Sequence, residues 1–175
     1  MSIVEGGSAM TESRFSVTQA RMTSDRPFAD VQAAFEQRLG RFEPDVFQLL
    51  AEDCDPVVVR ARIEEMAGSS GFMLFSTRDP GGILRLVGRR RKAVQYAIGN
   101  PLFAVEMTRH AIGAALYVPL LVLIYEADDG KTCIEYDRPS SLFGQFGDER
   151  VGSIAAMLDE KLEDLAAAAT RRRSA

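Results

Sequence analysis

Hydrophobic residues recur at intervals of three and four in several stretches of the chain, which is the spacing of helices that bury one face. The spacing predicts helices over residues 28–42, 44–67 in two pieces, 102–112 and 149–169. Three helix starts carry a capping residue, because a short polar side chain accepts from a free N–H group and proline needs no partner there. These starts are Asp55-Pro56, Asn100-Pro101 and Asp148. Ser24, Asp25 and Pro27 predict the same kind of start for the helix from residue 28.

Strand-forming residues occupy the stretches between these helices. The pattern predicts strands over residues 15–22, 72–77, 83–87, 92–98, 120–125 and 132–137. Turn sequences at 79–82, 88–91 and 128–130 join neighbouring strands as hairpins. Hairpin-linked strands with helices elsewhere predict an α+β fold, built as a single antiparallel sheet with helices packed mainly on one face.

The same pattern divides the 175 residues into one domain with a tail at each end. Residues 1–14 are rich in glycine, serine and threonine, and we expect them to form a disordered tail. Residues 15–169 are expected to form a single α+β domain. Residues 170–175 are expected to form a frayed basic tail.

Charge and composition narrow the classes of function. The chain has 21 basic and 25 acidic residues and a net charge of −4, which argues against a nucleic-acid partner. One histidine and two cysteines exclude a two-histidine metal site, and we expect no metal and no cofactor. We expect no secretory signal, since residues 1–14 have neither a basic nor an apolar region, and the longest uncharged run is too short to cross a membrane. We therefore expect a cytoplasmic protein with no membrane partner.

Eight residues are candidates for a small-ligand site. Tyrosines in the predicted strands combine a polar tip with an apolar body, and converging hydroxyl groups can line a pocket; packing in the core is the alternative. The glycine-containing stretch 139–147 is predicted to be a loop, and its two phenylalanines are expected to form a lid or an interface anchor. The candidate ligand-binding residues are Tyr96, Asn100, Tyr125, Glu126, Tyr136, Asp137, Phe143 and Phe146.

Acid–base catalysis is a second hypothesis. Carboxylates gather around the predicted hairpin turn at 128–130. Glu126, Tyr136 and Asp137 are the candidates for proton transfer there. An exposed polar face of the sheet is the alternative interpretation of these residues.

A regulatory protein that docks an anionic partner is a third hypothesis. Arg89, Arg90, Arg91 and Lys92 follow one another in a predicted hairpin loop. Guanidinium groups match the oxygens of phosphates and carboxylates, so this cluster is a candidate anion-binding site. A solvated loop is the alternative.

The stretch 96–143 carries motifs that resemble those of a known bacterial family. Residues 96–107 read YAIGNPLFAVEM, and residues 117–143 read YVPLLVLIYEADDGKTCIEYDRPSSLF. An Asn-Pro helix start, an apolar strand introduced by proline, an Asp-Gly turn and a closing tyrosine and proline follow in order. In these four features the chain resembles the domain of unknown function 302 family.

The resemblance implies a fold and an assembly. It implies an α+β fold of the TATA-box-binding-protein-like type and a homodimer, and it implies no established activity. DNA binding does not follow from such a fold, because function depends on sites and not on architecture. Since the chain also lacks a recognisable catalytic motif, we predict a non-catalytic homodimeric module that binds a small ligand or a protein partner.

Overall fold

The structure, a computed structural model, describes residues 10–52 and 54–171. Six strands and seven helices alternate irregularly along these residues. In chain order they are β1 (Gln19–Ser24), α1 (Phe28–Glu36), β2 (Gly40–Arg41), α2 (Asp45–Ala51), α3 (Pro56–Met66), β3 (Met73–Arg78), α4 (Pro80–Ile83), β4 (Ala93–Gly99), α5 (Pro101–Thr108), β5 (Leu120–Glu126), β6 (Thr132–Asp137), α6 (Pro139–Phe143) and α7 (Glu149–Thr170).

The tails expected from the sequence fall largely outside this range. Residues 1–9 of the expected N-terminal tail and residues 172–175 of the expected basic tail are not described. Residues 10–18 form neither helix nor strand, and α7 extends to Thr170.

The six strands form one mixed sheet in the order β1-β6-β5-β4-β3-β2. Four of the five pairings are antiparallel, whereas the two-residue strand β2 runs parallel to β3. The predicted α+β class is confirmed, but the prediction of a purely antiparallel sheet is wrong. The helical spacing of apolar residues continues past the end of α1 to Phe42. The sequence therefore predicts a helix at residues 40–41, where the structure has strand β2.

The main core lies between one face of the sheet and helices α1 and α7. Tyr96, Ile98, Val122, Ile124 and Ile134 point from the strands into this core and are buried. Helix α7 supplies the opposing apolar stripe, because its buried residues recur every three or four positions. They include Val151, Ala155, Leu158, Leu162 and Leu165.

A second, smaller core forms where α2 and α3 pack against β3. Phe72 belongs to the main core, whereas its neighbour Met73 packs against Val59 and Ile63 of α3. Successive side chains of a strand point to opposite faces, so helices cover both faces of the sheet at this edge. Arg62 of α3 donates to the Asp45 carboxylate at the start of α2 over 3.2 Å, which links the two helices.

Three predicted helix starts are confirmed by their hydrogen bonds, whereas α1 begins after Pro27 with no side-chain cap. Asp55 accepts from the Val57 N–H group, Asn100 accepts from the Leu102 N–H group, and proline follows each of the two. Asp148 accepts from the N–H groups of Arg150 and Val151 at the start of α7. The predicted hairpin at 128–130 is confirmed as well, with Gly130 at a φ of +80° between β5 and β6.

The predicted strand over 83–87 is wrong. Residues 80–83 form helix α4, and residues 84–87 continue as a 3₁₀ turn. The sequence Asp79-Pro80 starts a helix here, since the Asp79 carboxylate accepts from the Gly82 N–H group over 2.6 Å and Pro80 occupies the first helical position. Residues 79–82 also fit the turn that the sequence predicts.

Other boundaries also differ from the sequence prediction, since β1 spans Gln19–Ser24 and not residues 15–22. The stretch 139–147, expected to be a loop, forms helix α6 followed by a 3₁₀ turn. Helix α5 ends at Thr108, and Gly113 lies inside a second 3₁₀ turn that precedes β5. Proline at the first position of α6 gave the available signal for this helix.

Two glycines allow the backbone to cross itself beside β2. The Phe72 carbonyl oxygen accepts from the N–H groups of both Gly40 and Gly68, at 2.9 and 3.1 Å. A methyl group on Gly40 would lie 2.6 Å from the Gly68 nitrogen, and one on Gly68 would overlap the Arg38 carbonyl oxygen. Only residues without a side chain fit this crossing, which fixes α3 and β3 against the end of α1.

Substitution of Gly68 by alanine tests the crossing. We expect Gly68→Ala to lower the free energy of unfolding by about 1–3 kcal/mol, because the new methyl group displaces backbone atoms. Gly152 is the matched control: it lies inside α7, where a methyl group would meet open space. Gly152→Ala is expected to raise the same free energy by about 0.5–1 kcal/mol, measured for both variants by urea denaturation. Equal effects of the two variants would contradict this account.

The cap of α7 makes stability depend on pH. The hydrogen bond from the Val151 N–H group, followed by that from Arg150, holds the pKa of Asp148 below its ordinary value of 3.8. A lowered folded-state pKa stabilises the fold above the unfolded value, and this contribution is lost as the pH falls through the folded value. Asparagine keeps the accepting oxygen and removes the titration.

We therefore expect the wild type and Asp148→Asn to converge in stability below the ordinary aspartate pKa and to diverge above it. Thermal unfolding measured across acidic pH values tests this difference. Asp137→Asn is the control, since this exposed carboxylate accepts no hydrogen bond among the described residues. A constant difference between wild type and Asp148→Asn at every pH would refute the assignment.

Candidate ligand-binding site

An apolar pocket opens between α2, α3 and α5 at the end of the sheet. Its cavity volume is about 260 Å³. Phe42, Phe72, Phe75 and Phe103 supply much of its wall, and Leu158 of α7 closes its inner end. The pocket thus extends from the second core to the main core of the protein.

One wall of the pocket comes from two of the four motifs that carry the family resemblance. Gly99-Asn100-Pro101 ends β4 and begins α5, and Val118-Pro119-Leu120 leads into β5. The strands pair antiparallel with Ile98 opposite Leu120, so the end of one strand meets the start of the other. This pairing places both motifs beside the same cavity.

Asn100 holds that wall in place without offering the pocket a free polar atom. Its Oδ1 accepts from the Leu102 N–H group, and its Nδ2 donates to the Gly71 carbonyl oxygen, each over 2.9 Å. The side chain is buried, and both of its polar ends are bonded inside the protein. Asn100 is therefore a positioning residue that connects α5 to the segment before β3.

The lining has the chemistry of a site for apolar molecules. None of its side chains is titratable, and the aromatic rings of Phe42 and Phe75 stack with centroids 4.4 Å apart. A cavity without polar partners holds water poorly and gains free energy when an apolar ligand fills it. No group of three or more histidine, cysteine, aspartate or glutamate side chains suited to a metal ion occurs in residues 10–52 and 54–171.

Helix α2 forms the mouth of the pocket. Phe47 and Leu50 line the cavity and are still 63% and 54% exposed. Large apolar side chains in this position lose exposed surface when a ligand enters. The mouth is therefore as apolar as the interior, and it favours ligands whose apolar part reaches the surface.

Two of the predicted tyrosines serve the core. Tyr96 is fully buried, and its hydroxyl group donates to the Glu36 carboxylate over 2.7 Å. Burial raises the pKa of Tyr96, and the hydrogen bond to Glu36 raises it further. Burial also raises the pKa of Tyr136, whose ring belongs to the main core. Neither side chain lines the pocket; among the predicted residues, only Asn100 does.

The predicted phenylalanines form an aromatic cluster away from the pocket. Phe143 is buried in α6, and Phe146 lies half-buried in the following 3₁₀ turn. The ring of Tyr117 packs edge-on against each of them, with centroids 6.2 Å apart in both pairs. These contacts attach the segment after β6 to the 3₁₀ turn before β5.

A polar cluster on the outer face of the sheet was missed by the sequence analysis. The Tyr125 hydroxyl group donates to the Glu135 carboxylate over 2.6 Å, and Arg21 forms an ion pair with the same carboxylate. Burial raises the pKa of Tyr125, and the bond to Glu135 adds to this, so the hydroxyl group stays protonated. Cys133 is buried beside them. Only the register between β1 and β6, which sequence does not show, brings Arg21 to this place.

The acid–base candidates do not converge on one place. Glu126 pairs with Lys92 over 2.7 Å at the hairpin end of β5. Tyr136 lies opposite Val122, which comes four residues before Glu126 in β5. Four strand residues span about 13 Å, and this distance separates Tyr136 from Glu126 along the sheet. Asp137 is exposed and points to the other face of the sheet from Tyr136. The three groups therefore do not face a common space.

All four residues of the predicted anion-binding cluster, 89–92, are exposed. Arg91 forms an ion pair with Asp128, and Lys92 pairs with Glu126. Arg89 and Arg90 have no carboxylate within ion-pair distance among the described residues.

These features define an α+β protein with a mixed six-stranded sheet and an apolar pocket at its end. The family model described as Domain of unknown function DUF302 matches residues 53–169, and the chain belongs to this family. No curated protein matches the chain. Among the described residues, none of the helices has the length and apolar content needed to span a membrane.

A similar solved structure supports the same fold. It is the crystal structure of the uncharacterized conserved protein DUF302 from Bacillus stearothermophilus. The TM-score is 0.62 at 16% sequence identity, and the match covers 87% of this chain and 98% of that chain. At this level of identity the likeness concerns the fold alone.

Asn100→Asp tests the positioning role of Asn100. The carboxylate keeps the acceptor for Leu102 but faces the Gly71 carbonyl oxygen without a proton to donate. We expect the free energy of unfolding to fall by about 1–3 kcal/mol, measured by urea denaturation.

The matched control exchanges the same two residue types at an exposed cap. Asp55→Asn at the start of α3 is expected to be nearly neutral, since either residue is a good cap there. Similar stability of Asn100→Asp and the wild type would show that the bond to Gly71 is dispensable.

Proposed function

We propose that this protein binds a small, neutral, apolar molecule in the pocket between α2, α3 and α5. The observation that carries the proposal is a cavity of about 260 Å³ whose lining side chains are almost all apolar and which opens to the surface. A concave, mostly apolar cavity is the usual form of a small-molecule site. The protein then acts by binding and not by catalysis.

The size of the cavity limits the ligand. An apolar cavity of about 150 Å³ accommodates benzene, so this larger one suits a bicyclic ring system or a branched aliphatic group of similar bulk. A charged group has no counter-charge among the lining side chains, and its desolvation would oppose binding. A polar end of the ligand belongs at the mouth, beside Phe47 and Leu50.

The geometry favours binding over acid–base catalysis. A general acid or base must lie within hydrogen-bond reach of the proton that it transfers. The pocket has no titratable side chain, and Glu126, Tyr136 and Asp137 are separated by the register and by the faces of the sheet. The alternative of an enzyme built on these three residues therefore lacks a shared site.

The family resemblance adds two expectations that remain predictions. One is the homodimer, and the other is the TATA-box-binding-protein-like type of fold. Native mass spectrometry of the protein purified from its own cells addresses the first, because it measures the subunit count and any retained apolar molecule together. A monomer with no bound molecule would count against a homodimeric ligand-binding module.

Filling the cavity tests the binding proposal. Ala104 of α5 lines the pocket, and Ala104→Leu places a larger side chain inside it. We expect the variant to bind naphthalene at least about tenfold more weakly than the wild type, measured by isothermal titration calorimetry, since the side chain and the probe compete for one volume.

Val105→Leu is the matched control on the same helix. Val105 is exposed and does not line the pocket, so naphthalene binding is expected to stay at the wild-type level. Thermal unfolding checks that both variants are folded. Equal affinity of wild type and Ala104→Leu, or no naphthalene binding by the wild type, would exclude this pocket as the site.

A further inference from the structure

Residues 83–92 form an exposed segment that combines aliphatic and basic side chains; we name it the basic–aliphatic loop. All ten of its residues are exposed. Four are aliphatic, five are arginine or lysine, and none is acidic. The most exposed aliphatic side chains are Leu86 at 87%, Val87 at 70% and Ile83 at 68%.

Backbone contacts hold the two ends of the loop together. Gly81 is buried against Arg91, and a methyl group on Gly81 would overlap the Arg91 carbonyl oxygen. Asp79 caps the short helix α4 that leads into the loop, and Gly88 at a φ of +71° ends its 3₁₀ turn. Because its base is closed, the loop is a defined projection from the start of β4.

The charges of the loop are only partly balanced by the protein. Arg91 and Lys92, at the base, pair with Asp128 and Glu126. Arg85, Arg89 and Arg90 have no carboxylate within ion-pair distance among the described residues. Three unpaired cations therefore surround aliphatic side chains that are in contact with water.

We propose that the basic–aliphatic loop docks the protein onto an anionic lipid surface. Leu86 and Val87 enter the interfacial layer, where apolar side chains leave water, and the nearby guanidinium groups bind lipid phosphates. Clustered arginine and lysine side chains are attracted by the negative potential of anionic membranes. The chain as a whole carries a net charge of −4, so the rest of the molecule is repelled and the loop faces the lipid.

A lipid surface explains both kinds of side chain, whereas a polyanion explains only one. A nucleic acid or a free phosphate would engage the arginines and leave the four aliphatic side chains in water. All ten residues of the loop are exposed, which suits a deformable lipid interface that needs no matching shape. Docking at the surface requires no membrane-spanning helix, and it replaces the expectation from sequence of no membrane partner.

Vesicle flotation tests the docking. The full chain is mixed with vesicles of phosphatidylcholine and phosphatidylserine, and with vesicles of phosphatidylcholine alone. We expect binding to the anionic vesicles only, and weaker binding as salt is added. Arg89→Glu/Arg90→Glu and Leu86→Ala/Val87→Ala are each expected to reduce binding at least about tenfold.

Matched variants elsewhere on the surface are the controls. Ile112→Ala/Leu116→Ala removes two side chains that are 79% and 80% exposed, and Arg14→Glu/Arg60→Glu reverses two exposed charges. The aliphatic control is expected to leave vesicle binding within about twofold of the wild type, and the charge control to reduce it much less than the loop variant does. Circular dichroism and thermal unfolding show whether each variant is folded.

A fluorescent reporter tests insertion directly. The chain has no tryptophan, so Leu86→Trp introduces the only one. We expect its emission to shift to the blue with anionic vesicles and to be quenched by brominated lipid. Leu116→Trp, at an equally exposed site away from the loop, is expected to do neither.

Three results would overturn the proposal. The first is that the wild type binds neutral vesicles as strongly as anionic vesicles, or that it binds neither kind. The second is anionic-vesicle binding that Leu86→Ala/Val87→Ala leaves unchanged, since charge alone would then suffice. The third is tight binding of heparin or of an acidic polypeptide with no vesicle binding, which would assign the loop to a soluble polyanion or a protein partner.

Discussion

The close crossing of the backbone at Gly40 and Gly68 determines where the apolar pocket can form. The two glycines share the Phe72 carbonyl oxygen, and this contact brings the end of α3 against the short parallel strand β2. Helices α2 and α3 are thereby held at the edge of the sheet, across from α5. The pocket is the space that remains between these elements, so its outer wall depends on a contact in which no side chain takes part.

The elements that sequence predicted well are those whose signals are local. Asp148 and Asn100 cap their helices with atoms two or three residues away, and the turn at Gly130 needs only its own backbone conformation. Strand β2 is different, because two residues become a strand only through pairing with β3. Residues 83–87 are apolar except for Arg85, which favours a strand, but they follow a helix start at Asp79-Pro80, and the local cap determined the outcome.

The site was harder to predict than the fold, because sequence shows which side chains are polar but not where their partners lie. Tyr96 and Tyr125 were candidates as polar groups in an apolar setting, yet each donates to a carboxylate, Glu36 or Glu135, brought close by the fold. Of the predicted residues, Asn100 lines the pocket, and its side chain is hydrogen-bonded to backbone groups of Gly71 and Leu102. The pocket itself is lined by phenylalanines from separate elements. Nothing in the sequence distinguishes these phenylalanines from phenylalanines that pack in the hydrophobic core.

The pocket and the basic–aliphatic loop lie at opposite ends of β4. The loop leads into Ala93, whereas Gly99 and Asn100 at the other end form the pocket wall, about 20 Å along the strand. A molecule docked through the loop therefore keeps the mouth at Phe47 and Leu50 free of the lipid surface. Ligand exchange then needs no release from the membrane, and the two sites can act independently because they share no side chain. An apolar ligand that partitions into lipid is concentrated at the surface where such a protein docks, so this arrangement places an apolar pocket close to the source of its ligands.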